Sequence, residues 1–250
     1  MMMKLKNQVA LITGGSKGIG KGIAIQFAKE GANIIFTHLP NEENVDSVLQ
    51  QIQSFGVECL AVPTDISKEE DINRLAKLTE DRFGKINILV NNAGTIGEEK
   101  PLVEMSTEEW DHLMNVDLRG VFLMCKNFIP IIDSESVGKI INISSELSIK
   151  GRANYTHYTA AKGAVNSLTR SLALELAPNI LVNTLAPGPV GTDMILSDME
   201  PEWIEKEKDI PLQRLGKVEE IAATALLLAS NEGDFFCGQF ISPNGGAVFI

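Results

Sequence analysis

Short runs of β-branched residues alternate with longer helical patterns along the whole chain, and this alternation limits the fold more than any other feature of the sequence. Strands buried on both faces form such continuous apolar runs, and the helices between them are the crossovers that parallel strands need. The sequence therefore predicts a three-layer α/β fold, a doubly wound parallel sheet of about seven strands, in one domain over residues 1–250. The predicted strands are Gln8–Thr13, Asn33–Thr37, Val57–Val62, Ile86–Asn91, Lys139–Ile143, Ile180–Leu185 and Gln239–Ser242.

The helices are predicted at residues 18–30, 42–55, 68–83, 107–130, 157–177 and 217–230. Two of their starts carry entry signals, a capping box from Ser67 to Glu70 and an acidic first turn after Ser106. The least regular stretch, residues 187–216, follows the sixth strand at the edge where open α/β sheets bind ligands. We expect it to form a mobile lid over a substrate.

Charge and composition exclude several classes of protein. The 250 residues carry 22 Lys and Arg against 33 Asp and Glu, a net charge of −11. This balance argues against a surface that holds nucleic-acid or anionic-lipid phosphates. No apolar stretch reaches the roughly 20 residues of a membrane span, and the N-terminus lacks a secretory leader pattern. We expect a cytoplasmic protein.

Cysteine and histidine spacing gives no sign of a disulfide framework or a metal site. The cysteines lie far apart in the sequence and are odd in number; they are Cys59, Cys125 and Cys237. The histidines form no ligand pattern either; they are His38, His112 and His157. We expect no metal, buried free thiols, and His157 at the surface beside a more informative tyrosine.

A glycine loop follows the first predicted strand and runs from Thr13 to Gly20. A strand, a tight glycine turn and a helix N-terminus together form an anion site, because backbone N–H groups and the helix dipole converge there. The segment from Gly15 to Lys21 also matches most of a P-loop, but Gly22 replaces the hydroxyl residue that should bind magnesium. The loop therefore favours a dinucleotide over a nucleoside triphosphate.

The end of the second strand indicates which dinucleotide. An acid at this position hydrogen-bonds the adenosine ribose of NAD, but the sequence has His38 there, which does not repel a 2′-phosphate. Lys17, in the glycine loop, can supply a cation for that phosphate. We expect NADP(H) to be favoured over NAD(H).

Tyr158 and Lys162 are four residues apart in a predicted helix and so share one face. A nearby cation favours the phenolate and brings the tyrosine closer to the range of effective proton exchange with an alcohol or carbonyl oxygen. Ser145 ends the fifth strand thirteen residues before Tyr158, where its hydroxyl can stabilise charge on a substrate oxygen. The small residues after Asn91 would let a cofactor ring approach the backbone.

These four motifs, Thr13–Gly20, Asn91–Gly94, Ser145 with Tyr158-x-x-x-Lys162, and Pro187-Gly188 with Thr192, resemble a short-chain dehydrogenase/reductase over essentially the full chain. The resemblance implies a Rossmann fold, with Tyr158 as acid/base and Ser145 polarising the carbonyl. It implies that Lys162 holds the nicotinamide ribose and lowers the pKa of Tyr158, and that Asn115 supports a water relay to Lys162 through a helix distortion. The implied cofactor-binding residues are Gly14, Ser16, Lys17, Gly18, Ile19, Gly20, His38, Asp65, Ile66, Asn92, Ala93, Gly94, Tyr158, Lys162, Pro187, Gly188, Val190 and Thr192.

The implied reaction is hydride transfer between the nicotinamide and a carbonyl or secondary alcohol. Two substrate interpretations stay open. The overall pattern, including Asn244-Gly245-Gly246, is most similar to 3-oxoacyl-carrier-protein reductases, whereas residues 131–136 and 175–179, where a carrier-protein reductase would be basic, contain no Arg or Lys. The other interpretation is a small or apolar carbonyl compound selected by residues 146–157 and 190–212. A non-catalytic dinucleotide-binding regulator is a third interpretation.

The family resemblance also implies a homo-oligomer, a tetramer paired through the helices at 107–130 and 157–177. Both helices carry more apolar residues than one sheet contact requires; in the first they include Val121, Phe122, Leu123, Met124, Phe128 and Ile129.

Overall fold

A computed structural model describes residues 3–133, 135–192 and 200–249. Its seven strands form one parallel sheet in the order β3-β2-β1-β4-β5-β6-β7. The order reverses between β1 and β4, and this makes the doubly wound topology that the sequence predicted. The strands are β1 (Val9–Ile12), β2 (Asn33–His38), β3 (Cys59–Pro63), β4 (Ile88–Asn91), β5 (Gly138–Ile143), β6 (Ile180–Leu185) and β7 (Phe240–Ile241).

Helices cover both faces of this sheet. They are α1 (Gly18–Lys29), α2 (Val45–Gln53), α3 (Glu69–Phe83), α4 (Thr107–Met114), α5 (Gly120–Phe128), α6 (Leu147–Lys150), α7 (Thr156–Leu176), α8 (Pro201–Glu207) and α9 (Val218–Ala229). Short 3₁₀ turns lie at Leu102–Glu104, Ile129–Ile131 and Asn231–Gly233. A π-helical turn, Asn115–Arg119, joins α4 to α5.

Two apolar cores lie on opposite faces of the sheet, because successive residues of a strand point to opposite sides. In β1, Ala10 and Ile12 pack in the core that contains α1 and α9. Leu11 packs in the other core, with α3, α5 and α7. This double burial explains why the strands are apolar at most positions.

Two local predictions differ from the structure. The region 107–130 is interrupted by the π-helical turn and ends before Pro130. The Ser67 capping box is wrong: the hydroxyl of Ser67 donates to Asp65 Oδ1 at 2.7 Å, and α3 begins at Glu69 without a side-chain cap. A capping box does form at α4, where the Glu109 amide donates to Ser106 Oγ at 3.1 Å.

The predicted lid, residues 187–216, is described only in part. Val190 forms a β-bridge with Gly216, and α8 lies between them. Residues 193–199 lie outside the described part of the chain. Across the described residues, no helix is both long and apolar enough to cross a membrane.

Candidate active site

The candidate site lies at the carboxyl edge of the sheet, where the strand order reverses between β1 and β4. Neighbouring crossovers leave the sheet in opposite directions at this point and open a crevice in which α/β proteins bind nucleotides. The glycine loop leaves β1 here, and Asn91–Gly94 leaves β4. The motifs found in the sequence therefore converge on one edge.

The glycine loop has the backbone conformation that its glycines allow. Gly14 and Gly18 have φ angles of +63° and +53°, in the left-handed region that favours glycine. A Cβ on Gly20 would lie 2.2 Å from the Gly14 carbonyl oxygen, so that position also requires glycine. No side chain caps the first turn of α1, and its N–H groups suit a pyrophosphate.

The segment after β4 is fixed against this loop. Asn92 Nδ2 donates to the carbonyl oxygens of Thr13 at 2.8 Å and Gly14 at 3.1 Å. The amides of Asn92 and Ala93 both donate to Thr13 Oγ1 at 2.9 Å. A Cβ on Gly94 would lie 3.0 Å from Asp117 Oδ2. The segment thus joins the glycine loop to the interior of the site.

A carboxylate that the sequence analysis missed stands where the adenosine ribose is expected. Glu42 Oε1 lies 3.2 Å from Lys17 Nζ, and Glu42 Oε2 accepts a hydrogen bond from Ser16 Oγ. The imidazole of His38 is turned to the Leu39 carbonyl oxygen, with Nδ1 at 2.8 Å. An acid about 20 residues after the glycine loop is a recognised signal, but it was expected at the end of β2, and Glu42 lies in the loop that follows.

The other predicted cofactor residues surround the same crevice. Burial of Asp65 opposes ionisation, but hydrogen bonds from Ser67 and the charge of Lys68 bring its pKa below the usual value. Ile66 is buried beneath it. A Cβ on Gly18 would meet the Thr192 side chain at 3.6 Å, so the segment after β6 comes close to the glycine loop. That segment contains Pro187, Gly188 and Val190. Ile19 is half-buried.

Tyr158 and Lys162 occupy the first two turns of α7 and face the crevice together. Lys162 Nζ lies 5.6 Å from the centre of the Tyr158 ring and donates to the Ile143 carbonyl oxygen at 3.3 Å. The same ammonium group is 3.0 Å from Asp117 Oδ2. The helix thus presents a phenol and a buried ion pair on one face.

Asn115 does not reach this site. It begins the π-helical turn and is exposed, while Asp117, two residues later, is buried. Asp117 Oδ1 also accepts a hydrogen bond from the Thr95 amide at 2.8 Å. The predicted helix distortion is present, but the side chain that it turns towards Lys162 is Asp117. The sequence shows Asn115 as the asparagine of this segment, but it does not show which side chain a π-helical turn directs inward.

Burial and charge set the ionisation of this pair. Burial would lower the pKa of Lys162, but Asp117 and Tyr158 bring it above the usual value, so the ammonium form persists. Burial raises the pKa of Tyr158; Lys162 opposes the rise and Asp117 adds to it. Lys162 does act to lower the pKa of Tyr158, as predicted. The net shift is nevertheless upward, so the predicted low pKa of Tyr158 is wrong. The neutral phenol of Tyr158 is therefore favoured over its phenolate in this structure.

Ser144 and Ser145 directly follow β5, and Ser145 is the one that interacts with Tyr158. Its hydroxyl opposes the rise in the pKa of Tyr158, donates to Glu146 Oε2 at 3.1 Å and accepts from the Leu147 amide at 3.1 Å. Ser144 Oγ instead donates to the Lys162 carbonyl oxygen and holds α7 in place. Ser145, and not Ser144, is therefore the serine whose hydroxyl interacts with Tyr158.

His157 is buried, contrary to the expectation of a surface position. It lies against Gly97 in a cavity of about 200 Å³ between α4 and the loop after β4. Burial lowers its pKa. The imidazole of His157 is therefore neutral and forms part of the packed interior.

Comparison with known proteins agrees with this geometry. A family model described as enoyl-(acyl carrier protein) reductase matches residues 14–248. The 3-oxoacyl-(acyl-carrier-protein) reductase FabG of Thermotoga maritima is 37% identical over 247 residues, 98% of this chain and 100% of that protein. Two solved structures cover at least 98% of both chains compared: a Burkholderia cenocepacia short-chain dehydrogenase in complex with NADP (29% identity, TM-score 0.91) and L-sorbose reductase from Gluconobacter frateurii with NADPH and L-sorbose (28%, 0.93).

The chain belongs to the short-chain dehydrogenase/reductase family. Within that family it is an NAD(P)-dependent oxidoreductase that acts between a CH–OH group and a carbonyl group.

Proposed function

We propose that Tyr158, Ser145 and Lys162 carry out proton transfer and orientation in the reduction of a ketone to a secondary alcohol, or the reverse. The observation that carries this proposal is the position of Tyr158 between the Ser145 hydroxyl and the Lys162 ammonium group. A nicotinamide dinucleotide, when bound, supplies the hydride. The glycine loop and the uncapped start of α1 fit such a group.

Each side chain has one task. Ser145 donates a hydrogen bond to the substrate carbonyl oxygen, which stabilises the negative charge that develops there. Tyr158 gives its hydroxyl proton to that oxygen and needs an adjacent cation to hold the resulting phenolate. Lys162 provides this charge, and Asp117 keeps it protonated and oriented.

The decisive variant is Tyr158→Phe, because it removes only the hydroxyl that donates the proton. We expect turnover of every carbonyl substrate to fall at least 100-fold, the contribution of a positioned general acid, with cofactor affinity nearly unchanged in titration calorimetry. Tyr155→Phe is the matched control, since Tyr155 is the other tyrosine of the chain and packs under Arg152. Retained activity in Tyr158→Phe would refute the assignment.

For the cofactor, we propose a preference for NADP(H) over NAD(H). No acid ends β2, and Lys17, with 62% of its side chain exposed, can reach a 2′-phosphate beside the loop. The Burkholderia cenocepacia structure contains NADP and the Gluconobacter frateurii structure contains NADPH. Glu42 works against this preference, because it shares the two groups, Ser16 and Lys17, that a phosphate would use.

The second candidate is reduction of a 3-oxoacyl group on a carrier protein, which the FabG relative favours. Against it, residues 132–133 and 135–136 and the exposed end of α7 near Glu175 present acids and no cation. Like charges weaken the docking of an acidic carrier protein. Turnover on acetoacetyl-carrier protein, compared with free ketones at equal concentration, separates the two candidates. Absence of oxidation of NADPH by any carbonyl compound would instead favour a non-catalytic regulator.

We also propose a homo-oligomer, a tetramer by family resemblance. Most apolar residues of α5 are buried against the sheet, but Phe122 on α5 and Leu174 on α7 are exposed. Exposed apolar side chains of this kind favour contact between copies. Sedimentation equilibrium tests the proposal, and a monomeric mass would contradict it.

A further inference from the structure

Glu146 is a buried carboxyl group that the proposed reaction does not use. Only 6% of it is exposed, and it directly follows Ser145. Its Oε2 atom accepts the Ser145 hydrogen bond at 3.1 Å. Its amide donates to the Pro187 carbonyl oxygen at 3.1 Å, which fixes it beside the segment predicted to hold the nicotinamide. The carboxyl group thus lies next to the reacting atoms.

Among the described residues, no cation forms an ion pair with Glu146. Burial raises its pKa; the Ser145 hydroxyl and Lys150 oppose the rise, and Glu207 on α8 adds to it. The nearest arginine, Arg152, is paired with Glu207, with Nη1 and Oε1 2.6 Å apart, and stacks on Tyr155. Within the described part of the chain, the donors that reach the Glu146 side chain are the Ser145 hydroxyl and the backbone amide of Glu146 itself. A buried carboxyl group with so few partners is costly, and a polar group on a substrate can satisfy it.

The position of Glu146 defines which part of a substrate it meets. Ser145 has one O–H group, so when it turns from Glu146 to a substrate carbonyl oxygen, Glu146 Oε2 loses that hydrogen bond. The carbon next to the carbonyl then lies within reach of the neighbouring carboxyl group. A hydroxyl on that carbon both donates and accepts, so it pairs with Glu146 in either ionisation state. An anionic substituent is repelled by Glu146 and Glu207, and an alkyl chain leaves the carboxyl group unpaired.

We propose that Glu146 selects α-hydroxy ketones, including keto-sugars, by hydrogen-bonding the hydroxyl next to the carbonyl. This inference rests on the proposed carbonyl reduction at Tyr158 and names its substrate class. The balanced reaction takes one hydride from NAD(P)H and one proton from Tyr158 and converts the hydroxy ketone to a vicinal diol. The proton of Tyr158 is replaced from solvent.

The test compares two ketones that differ in one hydroxyl, acetoin and 2-butanone. For the wild-type protein and for Glu146→Leu, kcat/KM is measured with each ketone and saturating cofactor. Loss of a hydrogen bond to a charged partner should lower the acetoin-to-butanone ratio of kcat/KM about tenfold or more. Because any disturbance of Ser145 slows both ketones together, the ratio isolates recognition of the hydroxyl. An unchanged ratio overturns the inference.

Two further variants keep the test decisive. Glu146→Gln retains a weaker, neutral hydrogen bond, so the ratio should fall several-fold; if Glu146→Leu does not fold, this variant decides. Glu80→Gln, on an exposed part of α3, is the charge-matched control and should leave the ratio unchanged. A wild-type protein that reduces other carbonyl compounds but neither ketone overturns this inference and leaves the proposed function standing. Failure on every carbonyl compound with both cofactors contradicts the proposed function itself.

Discussion

Lys162 and Asp117 form an ion pair inside the candidate active site, with only 5% and 0% of their side chains exposed. They come from different elements, α7 and the π-helical turn, so the pair ties the segment that carries Tyr158 to the one that faces Gly94. A buried pair of this kind contributes little to net stability compared with apolar packing, but loss of either partner leaves a costly unpaired charge. Its role at this site is to hold a positive charge beside Tyr158.

Replacement of Asp117 by Asn tests this role through the pH profile. Asp117 raises the pKa of Tyr158, so its removal should lower that pKa. Alcohol oxidation requires the phenolate as base, and its rate rises as pH passes through the pKa of Tyr158. We expect the midpoint of kcat against pH to lie at lower pH in Asp117→Asn than in the wild type.

A control separates charge from structure. Asp111→Asn removes an exposed acid from α4 and should leave the midpoint unchanged. Asp117→Ala, which leaves Lys162 unpaired, should lower the free energy of unfolding by about 3–5 kcal/mol. Because Asp117 also raises the pKa of Lys162, a midpoint that moves to higher pH in a folded Asp117→Asn protein would show that Asp117 acts on Tyr158 mainly by keeping Lys162 charged. An unshifted midpoint would contradict the prediction as well.

Glu42 gives the prediction for cofactor choice. Glu42→Gln removes the carboxylate that shares Ser16 and Lys17 with an incoming 2′-phosphate. Affinity for NADPH should rise about tenfold relative to NADH, since a unit charge a few ångströms away at a protein surface contributes about 1–4 kcal/mol. Titration calorimetry with each cofactor measures the ratio.

Glu43→Gln is the matched control for Glu42→Gln, because Glu43 is exposed in the same loop. Its NADPH-to-NADH ratio should equal that of the wild type. If both variants shift the ratio equally, the effect comes from the general negative charge of the loop and not from the contacts of Glu42.

The residues that the sequence could and could not identify differ in a physical way. Apolar runs and glycine spacing are local signals, so the sheet, the glycine loop and the Tyr158–Lys162 face were predictable. Asp117, Glu42 and Glu146 matter because of contacts between distant segments, or because burial changes an ordinary acid. Asn115 illustrates the limit, since one extra residue in a helical turn changes which side chain points inward. Ser67 illustrates it too: the motif is present, but the nearer acceptor, Asp65, takes its hydroxyl.

The capping box of α4 predicts how stability depends on pH. Glu109 hydrogen-bonds Lys100 and the Ser106 amide, and these contacts lower its pKa from 4.5 to about 2. The folded protein therefore binds a proton less readily than the unfolded chain. The resulting stabilisation is complete above about pH 4.5 and is lost as the pH falls towards 2.

Glu109→Gln should lower Tm at pH 7 and narrow the difference between the Tm values at pH 7 and pH 3. Glu108→Gln, in the same exposed turn, should keep the wild-type difference.

Gly20 gives the last prediction, which concerns the glycine loop. A methyl group there would lie 2.2 Å from the Gly14 carbonyl oxygen and 2.4 Å from Asn92 Nδ2. The first atom is backbone and cannot move aside, so Gly20→Ala must displace the loop and break the Asn92 hydrogen bonds. We expect a loss of stability of about 1–3 kcal/mol, typical of overpacking, and at least tenfold weaker binding of both NADPH and NADH.

Gly163→Ala, in α7, is the comparison variant. Its new methyl group would have no neighbour nearer than 3.9 Å, and the substitution should stabilise the helix by about 0.5–1 kcal/mol. Denaturant titration and calorimetry on both variants check the result, and cofactor binding equal to wild type in Gly20→Ala would show that the close approach is not required.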